Sequence, residues 1–263
     1  MINTIHHGDC LELMKDIPDG SADMIICDLP YGSTKCHWDV VIPFAPLWAQ
    51  YERIIKPNGA IVLTASQPFT SALVMSNPMI FKYELIWEKS KATGFLDAKR
   101  RPLKSHESIL VFYKNQPTYN PQTWTIDPIF QDRRKSRALI SDNTQVYGKQ
   151  APRAKKEDTG ERLPLSIIPV RSFWSKSMYP TQKPVALFKY LIKTYTNEGD
   201  TVLDNCAGSF TTAVAAENTG RNWICIEKEK TACQKGALRI EENRKRLGLF
   251  SPLSLVGNCK AAS

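Results

Sequence analysis

Short runs of consecutive apolar residues alternate along this chain with longer stretches in which apolar residues recur every three or four positions. Runs of the first kind cover residues 3–6, 23–27, 60–65, 81–88, 106–114, 201–204 and 222–226, and each reads as a strand. The second kind predicts helices that lay one apolar face on those strands. Residues 41–55 carry Phe44, Leu47, Trp48, Tyr51 and Ile55 at near-helical spacing. Residues 185–195 turn Leu187, Leu191 and Ile192 to one side, and 228–247 form a charged amphipathic helix. Shorter helices are expected at 11–15, with Asp9 as N-cap, at 67–75, with Pro68 near the first position, and at 211–218, stopped by Gly220. Lys56-Pro57-Asn58-Gly59 and Asn197-Glu198-Gly199-Asp200 read as turns. The tail from Ser251 is expected to be loosely held.

The pattern breaks between 115 and 177. Pro117, Pro121, Pro128, Pro152, Pro164 and Pro169 interrupt it. Arg133, Arg134, Lys135, Arg137, Lys149, Arg153 and Lys155 crowd its middle, with Trp124, Tyr147, Phe173 and Trp174 interleaved. By itself this stretch is either a solvated loop or a surface for a polyanion. The whole chain leans toward a polyanionic partner, with a net charge of +9. At 263 residues and 42% hydrophobic content it forms one large domain, or one domain with an insertion. The seven cysteines make no CxxC pair and several sit in apolar runs, so free thiols in a reducing compartment are expected. No signal peptide is evident and no apolar run approaches the roughly 18 residues of a membrane span, which points to a cytoplasmic protein with no membrane partner.

Two stretches carry candidate chemistry. In the first, a strand ending at Cys27 delivers Asp28-Leu29-Pro30-Tyr31-Gly32. Pro30 keeps Leu29 extended, so the chain leaves the sheet stiffly with Asp28 and Tyr31 near its edge. Ligands of open α/β sheets bind outside the carboxyl ends of the strands. A carboxylate, free backbone carbonyls and an aromatic face there suit a flat substrate bearing an amino group. Taken alone, the segment is equally a strand stopped by ordinary terminators. In the second stretch, strand 201–204 runs through the small-residue turn Asn205-Cys206-Ala207-Gly208-Ser209 into a helix. Glu227 closes the next strand about 20 residues after the turn, where a βαβ nucleotide site reaches ribose hydroxyls. There is no GxGxxG, so the turn is not shaped for a dinucleotide. Cys36-His37 lacks a second ligand pair, and no metal site is expected.

Together these stretches resemble the S-adenosylmethionine-dependent amino-methyltransferases that act on DNA bases. Asp28-Leu29-Pro30-Tyr31 is similar to their catalytic Asp-Pro-Pro-Tyr motif. Asp204 to Thr212 is similar to their cofactor motif, Asp-Pro-Phe-x-Gly-Ser-Gly-Thr-Thr. Tyr179-Pro180-Thr181-Gln182-Lys183-Pro184 matches their Thr-Gln-Lys-Pro segment. The catalytic motif comes first, which is the permuted order of the beta class. The resemblance implies an α/β Rossmann-like methyltransferase fold, with a mostly parallel sheet and helices on both faces. It implies a catalytic half at 1–115, a target-recognition insertion at 116–177, a cofactor half at 178–250 and a tail.

The implied activity is site-specific methylation of adenine N6 in double-stranded DNA, as in restriction-modification. Asp at the first motif position is the form usual for adenine. N4-cytosine, RNA adenine or a degenerate DNA-binding fold are the alternatives, and a homodimer is compatible with the pattern. Asp28 and the Leu29 carbonyl would hold the amino group, Pro30 would stiffen the turn and Tyr31 would stack on the base. Asp9, Cys10, Asp28, Thr181, Lys183, Asp204, Asn205, Cys206, Ala207, Gly208 and Glu227 would surround S-adenosylmethionine. Residues 33–39 read as a mobile loop over a bound base, with Lys35 and Trp38 on DNA beside the basic insertion. Ser105-His106-Glu107 matches a family position but is assigned to structure. Three positions depart from the family. Leu29 replaces a proline, Asn205 and Cys206 replace Pro and Phe, and Phe210 replaces a glycine. A ring at position 210 is expected to crowd the cofactor turn.

Overall fold

The computed structural model describes residues 1–125, 159–170, 182–249 and 253–256. It divides into two compact units, Met1–Asn120 with Ser166–Ser263, and Pro121–Leu165. In the larger unit the described strands are β1 (Thr4–His7), β2 (Ala22–Cys27), β3 (Ile55–Ala65), β4 (Phe81–Thr93), β5 (Lys104–Phe112), β8 (Ile167–Val170), β9 (Thr201–Asp204), β10 (Asn222–Glu227) and β11 (Ser254–Val256). They form one sheet in the order β11-β1-β10-β9-β2-β3-β5-β4-β8. All neighbouring pairs are parallel except β3–β5 and β5–β4. β4 therefore runs in the direction of β3, and the carboxyl ends of β2, β3, β4, β9 and β10 share one edge. The smaller unit pairs β6 (Trp124–Thr125) with β7 (Glu161–Arg162) antiparallel.

The central strands are buried on both faces, which is why they read as unbroken apolar runs. Met24 and Ile26 join one core with Val62, Val111 and Trp223, while Ile25 and Cys27 join the other with Leu63, Leu110 and Phe112. The period of two along β2 splits its side chains between these layers. Helices α2 (Phe44–Ile54) and α3 (Phe69–Ser76) cover the second face through Leu47, Trp48, Tyr51 and Leu73. Helices α4 (Val185–Tyr195), α5 (Thr211–Glu217) and α6 (Lys230–Leu247) cover the first through Leu187, Leu191, Val214 and Ile240. The short α1 (Cys10–Leu13) is capped by Asp9, whose carboxylate accepts the Leu11 N–H at 2.9 Å.

Three local expectations change. Lys56–Gly59 is not a turn but part of β3, where pairing with β2 jumps from Ala22↔Ile55 to Met24↔Ala60. Ser254–Val256, read as loose tail, pairs parallel to β1. Ile167–Val170, inside the irregular region, adds an edge strand beside β4. Both edge strands are short, and tertiary pairing rather than local pattern creates them. The described cysteines, Cys10, Cys27, Cys36, Cys206, Cys225 and Cys233, are free thiols. Among the described residues no helix is long and apolar enough to cross a membrane.

Candidate active site

Asp28 stands just past the end of β2, and every donor around it comes from a different part of the chain. Its Oδ2 accepts from Lys183 Nζ at 2.7 Å, two residues before α4. Its Oδ1 accepts from the Thr64 hydroxyl near the end of β3 and lies 2.8 Å from the Tyr31 hydroxyl. Lys183 also lies 3.2 Å from Glu107 Oε2 of β5, whose other oxygen accepts from Lys89 of β4 at 2.6 Å. Charges thus alternate along Asp28, Lys183, Glu107 and Lys89. Burial lowers the affinity of an ammonium for its proton, but Asp28, Tyr31 and Glu107 override this and hold Lys183 well above its ordinary pKa. Burial raises Glu107, yet Lys183 and Lys89 keep its carboxyl below the usual value. The Tyr31 ring stacks on Phe69 with centroids 5.2 Å apart, and Lys183 Nζ sits 5.6 Å from its centroid. Leu29 is buried in the second core, so apolar packing fixes a backbone where a second proline would have stiffened it.

A cavity of about 1450 Å³ opens along this edge of the sheet, and Asp28 and Glu227 both line it. The acid that ends β2 and the acid that ends β10 therefore share one space. Glu227 accepts the Gly208 N–H at 2.7 Å and the Glu229 N–H at 2.8 Å. Burial raises its carboxyl above the ordinary value, and these amides offset only part of that. Asp204 accepts the Cys206 N–H at 3.0 Å and the Thr212 hydroxyl, and burial pushes it up to about 7. Asn205 accepts the Tyr51 hydroxyl at 2.5 Å, which anchors the turn to α2. Asp9, Cys10, Cys206, Ala207 and Gly208 complete this part of the wall. Gly208 takes φ +48°, and a Cβ there would meet nothing closer than 4.0 Å, so backbone is presented without a covering side chain. An acid at the end of β10 opposite bare backbone fits a nucleoside with a polar tail.

Phe210 does not crowd this turn. It takes φ +59° in the left-handed region, and its ring is fully buried. The ring lies on Gly236 of α6, where an added Cβ would sit 2.0 Å from ring carbon Cδ2. The departure from glycine thus fills core rather than cavity.

The loop after Tyr31 also lines the cavity through Thr34, His37 and Trp38. Asp39 is folded back so that its carboxylate accepts the N–H groups of Gly32, Ser33 and Thr34 at 2.8, 2.9 and 2.7 Å. His37 Nε2 lies 3.6 Å from Glu229 across the opening. Trp38 is 42% exposed and Lys35 is exposed. Thr181 and the basic residues Arg133, Arg134, Lys135, Arg137, Lys149, Arg153 and Lys155 lie outside the described residues. Sequence reading missed Thr64, which bonds Asp28, and Lys89, which bonds Glu107, and it assigned Glu107 to structure. The available signal was the match of Ser105-His106-Glu107 to a family position, directly ahead of the buried run 108–112.

A Rossmann-like sheet with a carboxylate at one strand end and a nucleoside-type pocket beside it is an arrangement that an amino-directed methyltransferase requires. The comparisons agree. The DNA methylase family (N6_N4_Mtase) matches residues 22–238, and the chain belongs to that family. S-adenosylmethionine is the family's methyl donor. The DNA adenine methyltransferase YhdJ of Escherichia coli K12 is 31% identical over 253 residues, covering 90% of this chain and 82% of YhdJ. The M1.HpyAVI–SAM complex superposes with a TM-score of 0.59 at 27% identity, covering 90% of this chain and 98% of that one. The PvuII cytosine-N4 DNA methyltransferase shares the fold, with a TM-score of 0.64 at 16% identity over 95% of this chain and 93% of its own.

Proposed function

We propose that this DNA methyltransferase transfers a methyl group from S-adenosylmethionine to the exocyclic N6 of adenine in double-stranded DNA. The observation that carries the reading is the common cavity of Asp28 and Glu227. YhdJ, an adenine enzyme, supports the choice of base.

Adenine's amino nitrogen is a weak nucleophile because its lone pair is delocalised into the ring. Asp28 would accept one N–H and the Leu29 carbonyl another, which favours a pyramidal nitrogen with its lone pair directed away from the ring. A carboxylate offers about four lone-pair sites. Thr64, Tyr31 and Lys183 take up to three of these, and one remains for the base. Lys183 stays protonated, so it positions Asp28 and cannot take the proton that leaves the amino group, which would pass along the N–H held by Asp28 and on to solvent. Glu107 balances the second positive charge that would otherwise lie beside the nitrogen as it becomes cationic. Tyr31, backed by Phe69, would offer its free edge or face to the base, and Trp38 would close over it. Glu227 would hold the ribose hydroxyls, and Asp9, Cys10, Asp204, Asn205, Cys206, Ala207 and Gly208 would bound the rest of the cofactor, with Thr181 adjoining Lys183. When bound, the sulfonium cofactor supplies an already activated methyl group. Lys35 and the basic cluster from Arg133 to Lys155 would neutralise phosphates.

The test is digestion to nucleosides of DNA methylated by the protein. N6-methyladenine is expected, and N4-methylcytosine in its place would overturn the assignment of the base. Asp28→Ala is expected to abolish transfer while cofactor binding, measured by calorimetry, stays within about threefold. Loss of both together would mean that Asp28 holds the fold rather than the substrate. Single-molecule sequencing of DNA from expressing cells would give the recognition sequence.

A further inference from the structure

The β4–β5 hairpin runs past the sheet on the cavity side. Thr93 pairs with Lys104, and both line the cavity, so residues 94–103 stand at its mouth. This tip is an ordered turn. Gly94 takes φ +87°, residues Phe95–Asp97 form a 3-10 turn, and the N–H groups of Asp97, Arg100 and Arg101 bond back to the carbonyls of Gly94 and Asp97. Yet it turns its apolar side chains outward, with Phe95 76% and Leu96 88% exposed. Cations surround them. Lys91, Lys99, Arg100 and Arg101 are all exposed, and Asp97, the single acid between Lys89 and Lys104, is paired with Arg101 at 2.8 Å. An apolar point ringed by positive charge matches a ligand that is anionic outside and apolar inside. A nucleic-acid duplex is built that way, with phosphates around stacked bases.

We propose that this tip is a base-opening wedge. Phe95 and Leu96 enter the duplex at the target pair and fill the space the target base leaves as it swings into the cavity. Lys99 and Arg100 hold the flanking phosphates, and the Arg101–Asp97 pair keeps the turn closed. The inference rests on the reading of the cavity as a site for an extruded base, and it assigns a DNA contact outside the basic insertion.

The test uses the full-length protein and duplexes carrying the recognition sequence found by sequencing. In one duplex the target base is paired, in a second it faces an abasic position, and in a third it is replaced by 2-aminopurine. Phe95→Ser/Leu96→Ser is expected to lower kcat/KM on the paired duplex by roughly tenfold or more and on the abasic-opposed duplex by less than about threefold, because pre-opening removes much of the unstacking cost. The rise in 2-aminopurine emission expected with the parent protein should be lost in the variant. Lys99→Ala/Arg100→Ala should reduce the salt slope of DNA binding by about 2. Unaltered melting temperature and S-adenosylmethionine affinity would show that the variants are folded. Equal losses on both duplexes, or no loss on either, would sink the wedge. So would binding of the tip to anionic phosphatidylglycerol vesicles with DNA behaviour unchanged. If the parent protein methylates neither duplex, the reading of the site fails first, and the two failures are thereby told apart.

Discussion

Phe210 occupies a backbone conformation that a phenylalanine adopts only at a cost of about 1–3 kcal/mol. Burial of its ring against Gly236 offsets that cost, and the two positions are therefore coupled. Gly236→Ala should destabilise the protein by about 1–3 kcal/mol through overpacking. Phe210→Ala alone should cost more, about 3–5 kcal/mol, and the double variant should lose less than the sum of the two single changes, which urea melts of all three would measure. Asp204 makes a second prediction. Its carboxyl rises from 3.8 to about 7 on folding. Between those values the folded state binds a proton that the unfolded chain has lost. The contribution of Asp204 to stability is therefore full below about pH 4 and is lost as pH rises through about 7. Glu227, also raised, adds to the same sign. Asp204→Asn should flatten the pH dependence of unfolding across that window, and an unchanged slope would mean the carboxyl stays ionised. At this scale the sequence was legible where a motif names a residue, as with Asp28 and Glu227. It was silent about Thr64 and left Glu107 to structure, since Thr64 joins Asp28 through sheet pairing and Glu107 only through Lys183, neither by spacing along the chain.

Among the elements, the central strands could be read because burial on both faces leaves an unbroken apolar run. β4 and β5 extend beyond their readable parts because residues 89–93 and 104–105 are polar and bring no such signal. The join of β2 to β3 shows a finer constraint. A Cβ at Gly59 would stand 2.8 Å from the Asp23 carbonyl oxygen and 2.6 Å from the Ile55 side chain. Gly59→Ala is expected to cost on the order of 1–3 kcal/mol, read as a lower urea midpoint, because the bulged pairing has no room to shift. Ahead of α4, the link from Lys183 to Asp28 just past β2 is electrostatic instead. Lys183→Met would remove the cation between Asp28 and Glu107, leaving only Lys89 on Glu107, with a loss on the order of 3 kcal/mol. Adding Glu107→Gln should restore a measurable part of the stability but not of the methylation.

For the whole molecule, cofactor and DNA act on different terms. S-adenosylmethionine at a hundred times its Kd should add about 2.7 kcal/mol to stability, seen as a rise in Tm that the Glu227→Ala variant loses. DNA affinity should fall with salt with a slope that counts the phosphates the protein's Lys and Arg side chains neutralise. The division into a large sheet unit and the smaller unit Pro121–Leu165 follows the place where apolar periodicity stops. The loop beside the cavity has a mechanical character that its polar sequence did not disclose. One carboxylate, Asp39, grips three consecutive amides, so this segment cannot peel away residue by residue. Residues 32–39 are thereby tied into one stiff segment that carries His37 and Trp38 together on the cavity wall, so any opening at this place would move both rings at once.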